Sequence, residues 1–99
     1  MSTSANELIR PCATNVNVTE DTIYVELNDG RSISAPLSWY PRLEHATPEE
    51  RNNWELIGSG FGIHWPQIDE DISVEGLIAG KASNESQESL SKWLKSRSV

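Results

Sequence analysis

The side chains of this chain that can carry chemistry gather in one stretch, Phe61-Gly62-Ile63-His64-Trp65-Pro66-Gln67-Ile68-Asp69-Glu70-Asp71-Ile72. Imidazole and carboxylate are ordinary metal ligands, so His64 with Asp69 and Asp71 could form a cation site. The same carboxylates could polarise His64 as a general base. Neither arrangement completes itself. The stretch holds no second His and no Cys, and its spacing matches no recognised ligand pattern. No Ser or Cys stands in a nucleophile motif, and neither Ser59 nor Ser73 has an activating neighbour. Asp is also a preferred residue just before a helix. Asp69 and Asp71 are therefore expected to cap a helix starting near Asp71, with His64 bonded to a neighbour. No catalytic residue, metal or cofactor is assigned.

Gly58-x-Gly60-x-Gly62 resembles a phosphate cradle only in its glycines. A cradle needs a strand before it, a helix directly after it and a Lys partner. Tight packing against Trp54 or Trp65 is the expected role. His45 lies between two helix starts and is expected to be solvated.

The elements that must position these groups follow from periodicity. Val16 and Val18 alternate with Asn15, Asn17 and Thr19, and Ile23, Val25 and Leu27 alternate with Tyr24 and Glu26. Period-two alternation marks half-buried strands. Asp29-Gly30 predicts a two-residue hairpin turn into a third strand, Ser32 to Ala35. An antiparallel meander over about residues 12–35 is expected. Ser38 is expected to cap a first helical turn containing Pro41, with Leu37, Tyr40 and Leu43 on one face. Thr47-Pro48-Glu49-Glu50 has the pattern of a capping box and predicts a helix reaching Trp54 or Ile57, both facing the core. Phe61 to Trp65 reads as a short strand. A helix begun near Asp71 would bury Val74, Leu77 and Ile78 and end at Gly80. Leu90, Trp93 and Leu94 stripe an otherwise polar helix over about 84–96. Arg42 and Arg51 are expected to bridge to the acidic turn.

The fold class is α+β: a small antiparallel β-meander with short helices and a C-terminal amphipathic helix. Residues 1–10 are expected to be flexible, 11–80 to form the domain and 81–99 a helical tail. The chain has 99 residues, 36% of them hydrophobic, and four Trp. Indoles must therefore supply much of the core. Fifteen acidic against eight basic side chains leave a net charge of −7, which disfavours direct nucleic-acid binding and an anionic membrane surface. The single Cys12 cannot form an internal disulfide. The start lacks a basic-then-apolar signal and no apolar run approaches a membrane span, so the cytoplasm is the expected location.

Three motifs in order carry a resemblance. Asp29-Gly30-Arg31 leads through Pro36-Leu37-Ser38-Trp39-Tyr40-Pro41-Arg42-Leu43, then Ala46-Thr47-Pro48-Glu49-Glu50-Arg51, then Ile63-His64-Trp65-Pro66 through Asp69-Glu70-Asp71-Ile72-Ser73-Val74-Glu75-Gly76-Leu77. Over about residues 15–80 the chain resembles a small bacterial family, domain of unknown function 2442 (DUF2442). The resemblance implies a small α+β domain, often encoded beside another small domain in pairs that look like toxin–antitoxin modules. Some members carry a C-terminal helix-turn-helix. Residues 81–99 are too few for one, so DNA-binding regulation is not expected here. The resemblance brings no catalytic residue to His64 or Asp71.

The expected function is a non-enzymatic protein-interaction module, the antitoxin-like half of a two-gene system, with a basic protein partner. Its candidate contact residues are Trp39, Tyr40, His64 and Trp65, the acidic Asp69, Glu70 and Asp71, and the tail stripe Leu90, Trp93 and Leu94. At least one of Trp39 and Trp65 is expected to stay partly exposed. That stripe would also suit a homodimer. Two alternatives are an acidic mimic that inhibits a nucleic-acid enzyme, and a small metal-dependent or acid–base enzyme centred on His64.

Overall fold

The computed structural model describes residues 10–97. The meander forms where alternation places it, from β1 (Ala13–Val18), β2 (Thr22–Leu27) and β3 (Ser32–Pro36), paired antiparallel in that order. Register sets Val16 opposite Val25 and Val25 opposite Ile33, and Val18 opposite Ile23 and Ile23 opposite Ala35. These apolar rows make its inner face. A bulge between Ala13 and Asn15 lets Ala13 and Val16 both point inward although three positions separate them.

The β2–β3 hairpin is not the expected two-residue turn. Gly30 N–H donates to Leu27 O (3.2 Å), Leu27 N–H donates to Arg31 O (2.8 Å), and within the loop only Gly30 has positive φ (93°). Asn28, Asp29 and Gly30 thus form a three-residue loop closed by a glycine bulge. The Asp29 carboxylate accepts from Arg31 N–H (3.0 Å) and Nε (2.9 Å), which holds Asp29 in an ordinary conformation.

A second sheet, β4 (Glu55–Ile57), β5 (Gly62–Trp65) and β6 (Glu70–Ser73), pairs antiparallel in chain order. Only β5 is anticipated by the sequence reading. The helix capped by Thr47 is α2 (Pro48–Asn52), and its capping box is present: Thr47 Oγ1 accepts from Glu50 N–H (3.1 Å) and Glu50 Oε1 from Thr47 N–H (2.9 Å). It stops short of the expected end because Asn52-Asn53 offers little to a helix and Leu56-Ile57 can pair with β5 instead. Ile57 is exposed rather than core-facing, while Trp54 packs partly buried at the core edge.

The helix expected at Asp71 also starts later. Ser73, not Asp69 or Asp71, caps α3 (Val74–Ile78), its Oγ accepting from Gly76 N–H at 2.9 Å. Ile68, Glu70, Ile72 and Val74 are all buried with exposed residues between them, so period two prevails up to Ser73. Ile78 is exposed, contrary to the expected helical face. Gly80 ends α3 as expected: with φ of 78°, its N–H reaches Leu77 O, and that of Lys81 reaches Gly76 O. Ahead of these, Leu37–Trp39 forms a 3₁₀ turn and α1 (Pro41–Glu44) follows. Tyr40 rather than Ser38 stands at its cap position, without a side-chain cap bond. Leu37, Tyr40 and Leu43 are buried as expected.

Both sheets drain into one core, where Ile23, Val25, Leu37 and Leu43 meet Ile63, Trp65, Ile68 and Val74. Gly60 is the seam between them: with φ of 91°, a Cβ there would stand 2.8 Å from Ala13 O, so only glycine fits. The Trp65 indole N–H donates to Arg51 O (3.0 Å), and Arg51 donates to Leu43 O (3.0 Å) and Glu44 O (2.7 Å). Arg51 therefore satisfies the end of α1 instead of bridging to the acidic turn.

The tail forms α4 (Gln87–Arg97) and lies on its own domain. Arg97 grips Glu50 through Nη2–Oε1 (2.7 Å) and Nη1–Oε2 (3.0 Å), and Trp93 stacks between Arg97 (4.5 Å) and Arg42 (5.2 Å). Of the stretch expected to be flexible, residues 1–9 lie outside the described residues. Arg10 is held, pairing with Glu75 (2.7 Å) and lying over Phe61 (4.2 Å). Residues 98 and 99 also lie outside the description.

Candidate functional site

Register across the second sheet builds one row on its outer face. Glu55 lies opposite His64, and His64 opposite Asp71. His64 Nδ1 is hydrogen-bonded to Asp71 Oδ1, and this bond raises the imidazole above its ordinary value of 6.5. Slight burial works the other way, and the charges of Asp71, Glu55 and Asp69 add to the rise. The arrangement favours an imidazolium framed by carboxylates. It brings no hydroxyl or thiol to His64 among the described hydrogen bonds, and no three His, Cys, Asp or Glu side chains of the described residues converge to hold a metal ion.

On the inner face the next register pair is Trp65 opposite Glu70. Trp65 is fully buried, and Glu70 is only 9% exposed. Burial pushes the Glu70 carboxyl up to about 7, with the charge of Glu85 adding to the rise and that of Arg42 opposing it. The Glu70 carboxylate makes no hydrogen bond among the described residues. Every fully enclosed side-chain nitrogen or oxygen of the described residues has a partner, so the unpartnered Glu70 carboxylate is not fully enclosed. Glu70 lines a cleft of about 270 Å³ between β6, α3 and residues 81–84, with Tyr40, Ile72, Ser73 and Leu77 also in its walls. Tyr40 is buried beside it, its hydroxyl 3.4 Å from Lys81 O; burial, and then the Glu70 charge, raise its phenol.

The charge of Arg42 acts on Glu70, but its donors are engaged elsewhere. Its Nε donates to Glu85 Oε1 (2.9 Å), its Nη2 to Glu85 Oε2 (2.7 Å) and its Nη1 to Ile68 O (3.0 Å). Ser89 Oγ donates to Glu85 Oε2 as well (2.8 Å). The Arg42 guanidinium is thus committed to Glu85 and to one carbonyl of the acidic turn, leaving Glu70 without a direct counter-ion among the described residues.

The residues expected to meet a partner fall into three groups. His64, Asp69 and Asp71 stand together at the outer surface, Asp69 in a turn at positive φ (53°). Tyr40, Trp65 and Glu70 are buried, the alternation of β5 and β6 turning the last two inward; Trp65 is fully enclosed, and Tyr40 and Glu70 border only the cleft. Trp39 remains half-buried at the core margin. Leu90, Trp93 and Leu94 are half-buried on α4, the helix that ion pairs hold to its own domain. Sequence reading grouped Glu70 with its acidic neighbours and missed its inward position. The signal was present in Ile68-x-Glu70-x-Ile72-x-Val74, where one carboxylate occupies an apolar face.

Two antiparallel three-stranded sheets on a shared core, with short helices between and after them, define a small α+β domain. The chain belongs to the family described as protein of unknown function (DUF2442), whose pattern matches residues 13–83. A protein of unknown function from Rhodospirillum rubrum has a similar crystal structure, with a TM-score of 0.68 and 27% identity over 80% of this chain and 98% of that one. The solution structure of an uncharacterised protein from Chromobacterium violaceum is similar in fold, with a TM-score of 0.65 and 22% identity over 92% of this chain and 82% of that one. No curated protein matches the chain.

Proposed function

We propose that the chain is a non-enzymatic protein-interaction module, the antitoxin-like half of a cytoplasmic pair, and that it binds a basic partner along β4. One observation carries this reading. β4 is an edge strand whose three residues are all exposed, with Leu56 at 37% and Ile57 at 40%. Unprotected sheet edges are templates for a further strand and are ordinarily blunted. Here Glu55 begins the strand, and the Glu55–His64–Asp71 row lies beside it. An extended segment with basic and apolar side chains matches both the backbone groups and the charge. The antitoxin-like part of the proposal draws on the gene pairing that the family resemblance implies. No helix among the described residues is long and apolar enough to cross a membrane.

The test is co-expression with the product of the neighbouring gene. Co-elution is expected, weakened by salt and reduced about tenfold in affinity by Ile57→Lys, which sets a like charge against the partner. Separate elution of the two wild-type proteins would count against the reading. The acidic row also favours a second reading, mimicry of nucleic acid toward a basic groove. It requires competition with nucleic acid, and binding that survives high salt while leaving nucleic-acid binding untouched removes it.

A further inference from the structure

The Glu70 cleft is a different object from the exposed edge of β4. It opens between β6, α3 and residues 81–84. A carboxylate as enclosed as Glu70, with no hydrogen bond among the described residues, has given up most of its hydration without receiving a partner. The nearest guanidinium is taken, since Arg42 grips Glu85 and the Ile68 carbonyl. Lys81 lies on the cleft wall with an exposed side chain and forms no ion pair with Glu70.

We propose that this cleft binds an alkylammonium group, with Glu70 as its counter-ion. An ammonium carries three donors, and the cleft is lined by the acceptor-bearing residues Glu70, Tyr40 and Ser73, of which the Glu70 carboxylate is the one without a partner among the described residues. Ile72, Leu77 and Ala82 complete walls against which a methylene stem can lie. The volume of about 270 Å³ accommodates a short alkyl chain. The same ammonium can come from a small amine or from a lysine side chain. The raised carboxyl fits this role: bringing a cation to Glu70 drives off its proton, so binding releases protons near neutral pH. Burial sets this titration, with the charges of Glu85, Arg42, Asp71 and Asp69; Tyr40 and Lys81 also face the cleft. The inference stands on the cleft alone. Loss of the edge-strand partner leaves it intact, and failure of the cleft to take an amine leaves the edge-strand reading intact.

The experiment is an NMR titration of the full chain with butylammonium chloride at about pH 8, with butanol and sodium chloride as controls. Saturable shifts are expected at the amides of Ser73, Gly76 and Ala82 with butylammonium and with neither control. Affinity should fall as the solution is acidified below the Glu70 transition. Glu70→Gln keeps the shape and removes the charge, and should weaken binding about tenfold or more. Ala82→Phe, which crowds the cleft without touching Glu70, should also block it. A parallel titration with acetyl-Gly-Lys-Gly-amide separates the sources. Binding of the peptide assigns lysine side chains, and butylammonium binding without peptide binding assigns free amines; both uphold the ammonium site. Equal shifts with butanol, unchanged affinity in Glu70→Gln, or no saturable shift with either amine overturns it.

Discussion

The two sheets have the same number and order of strands but treat charge in opposite ways. In the first, Ile23, Val25 and Leu27 point inward, Tyr24 and Glu26 point outward, and no carboxylate is buried. In the second, one step of register separates an exposed imidazole–carboxylate row from a buried carboxylate beside a fully buried indole. The first sheet is a scaffold that obeys alternation. The second breaks it at one position, and the break has an electrostatic cost that a scaffold alone does not require.

The largest effect should come from removing the indole that anchors the second sheet. Trp65→Ala deletes a fully buried side chain and its bond to Arg51 O, and should cost about 3–5 kcal/mol. Ile23→Val in the first sheet should cost about 0.5–1.5 kcal/mol. Urea midpoints followed by circular dichroism measure both. Similar costs would mean that the sheets share the load evenly and that Trp65 is no special anchor.

Glu70→Gln should act with the opposite sign. The folded carboxyl holds its proton up to about 7, whereas the unfolded one releases it near 4.5. Between those values the native state binds more protons, so this group lowers stability as pH rises through that window. The variant should therefore be about 1–3 kcal/mol more stable than the parent at about pH 8, with the gain vanishing below the unfolded value. A stability gain that does not depend on pH would place its origin in packing instead of charge. The comparison would then lose its basis.

How far the sequence reveals each sheet follows from strand length and period. β1 and β2 have six residues apiece, enough for alternation to be unambiguous, and the meander is legible. β4 has three residues and β6 four. Over so few positions Leu56-Ile57 and Ile72-Ser73-Val74 fit a helix as readily as a strand, and pairing with β5 decides. The Thr47 capping box and the Gly80 stop are local chemistry and were readable. His64 beside Asp71 was legible as a pair, but not its setting across two strands. Glu70 was concealed by its acidic neighbours, because composition averages over a turn that the register separates residue by residue.

The tail adds a smaller, acid-sensitive effect. The Arg97 hydrogen bonds hold the Glu50 carboxyl down to about 2, from an ordinary 4.5. A lowered carboxyl stabilises above its unfolded value and loses that contribution as pH falls toward the folded one. Arg97→Ala should cost about 1–2 kcal/mol near neutral pH, less as the solution is acidified, and should raise amide exchange along α4. Unchanged exchange in α4 would assign its docking to Trp93 alone.

The smallest effect belongs to the outer row, where the readout is a titration and not a stability. The hydrogen bond that His64 donates to Asp71 is the main cause that raises the imidazole, so Asp71→Asn should bring it back toward 6.5 in an NMR titration. Glu55→Gln removes only a charge on the neighbouring strand and should move it less, in the same direction. A raised imidazole contributes stability that is complete below its unfolded value and lost as pH rises through the folded one, the reverse of Glu50. The two faces of one sheet thus hold groups raised for different reasons: His64 because a carboxylate holds its proton on, Glu70 because burial does. If Asp71→Asn moves Glu70 as much as His64, the faces are electrostatically one site, and an ammonium bound at Glu70 should also lower His64.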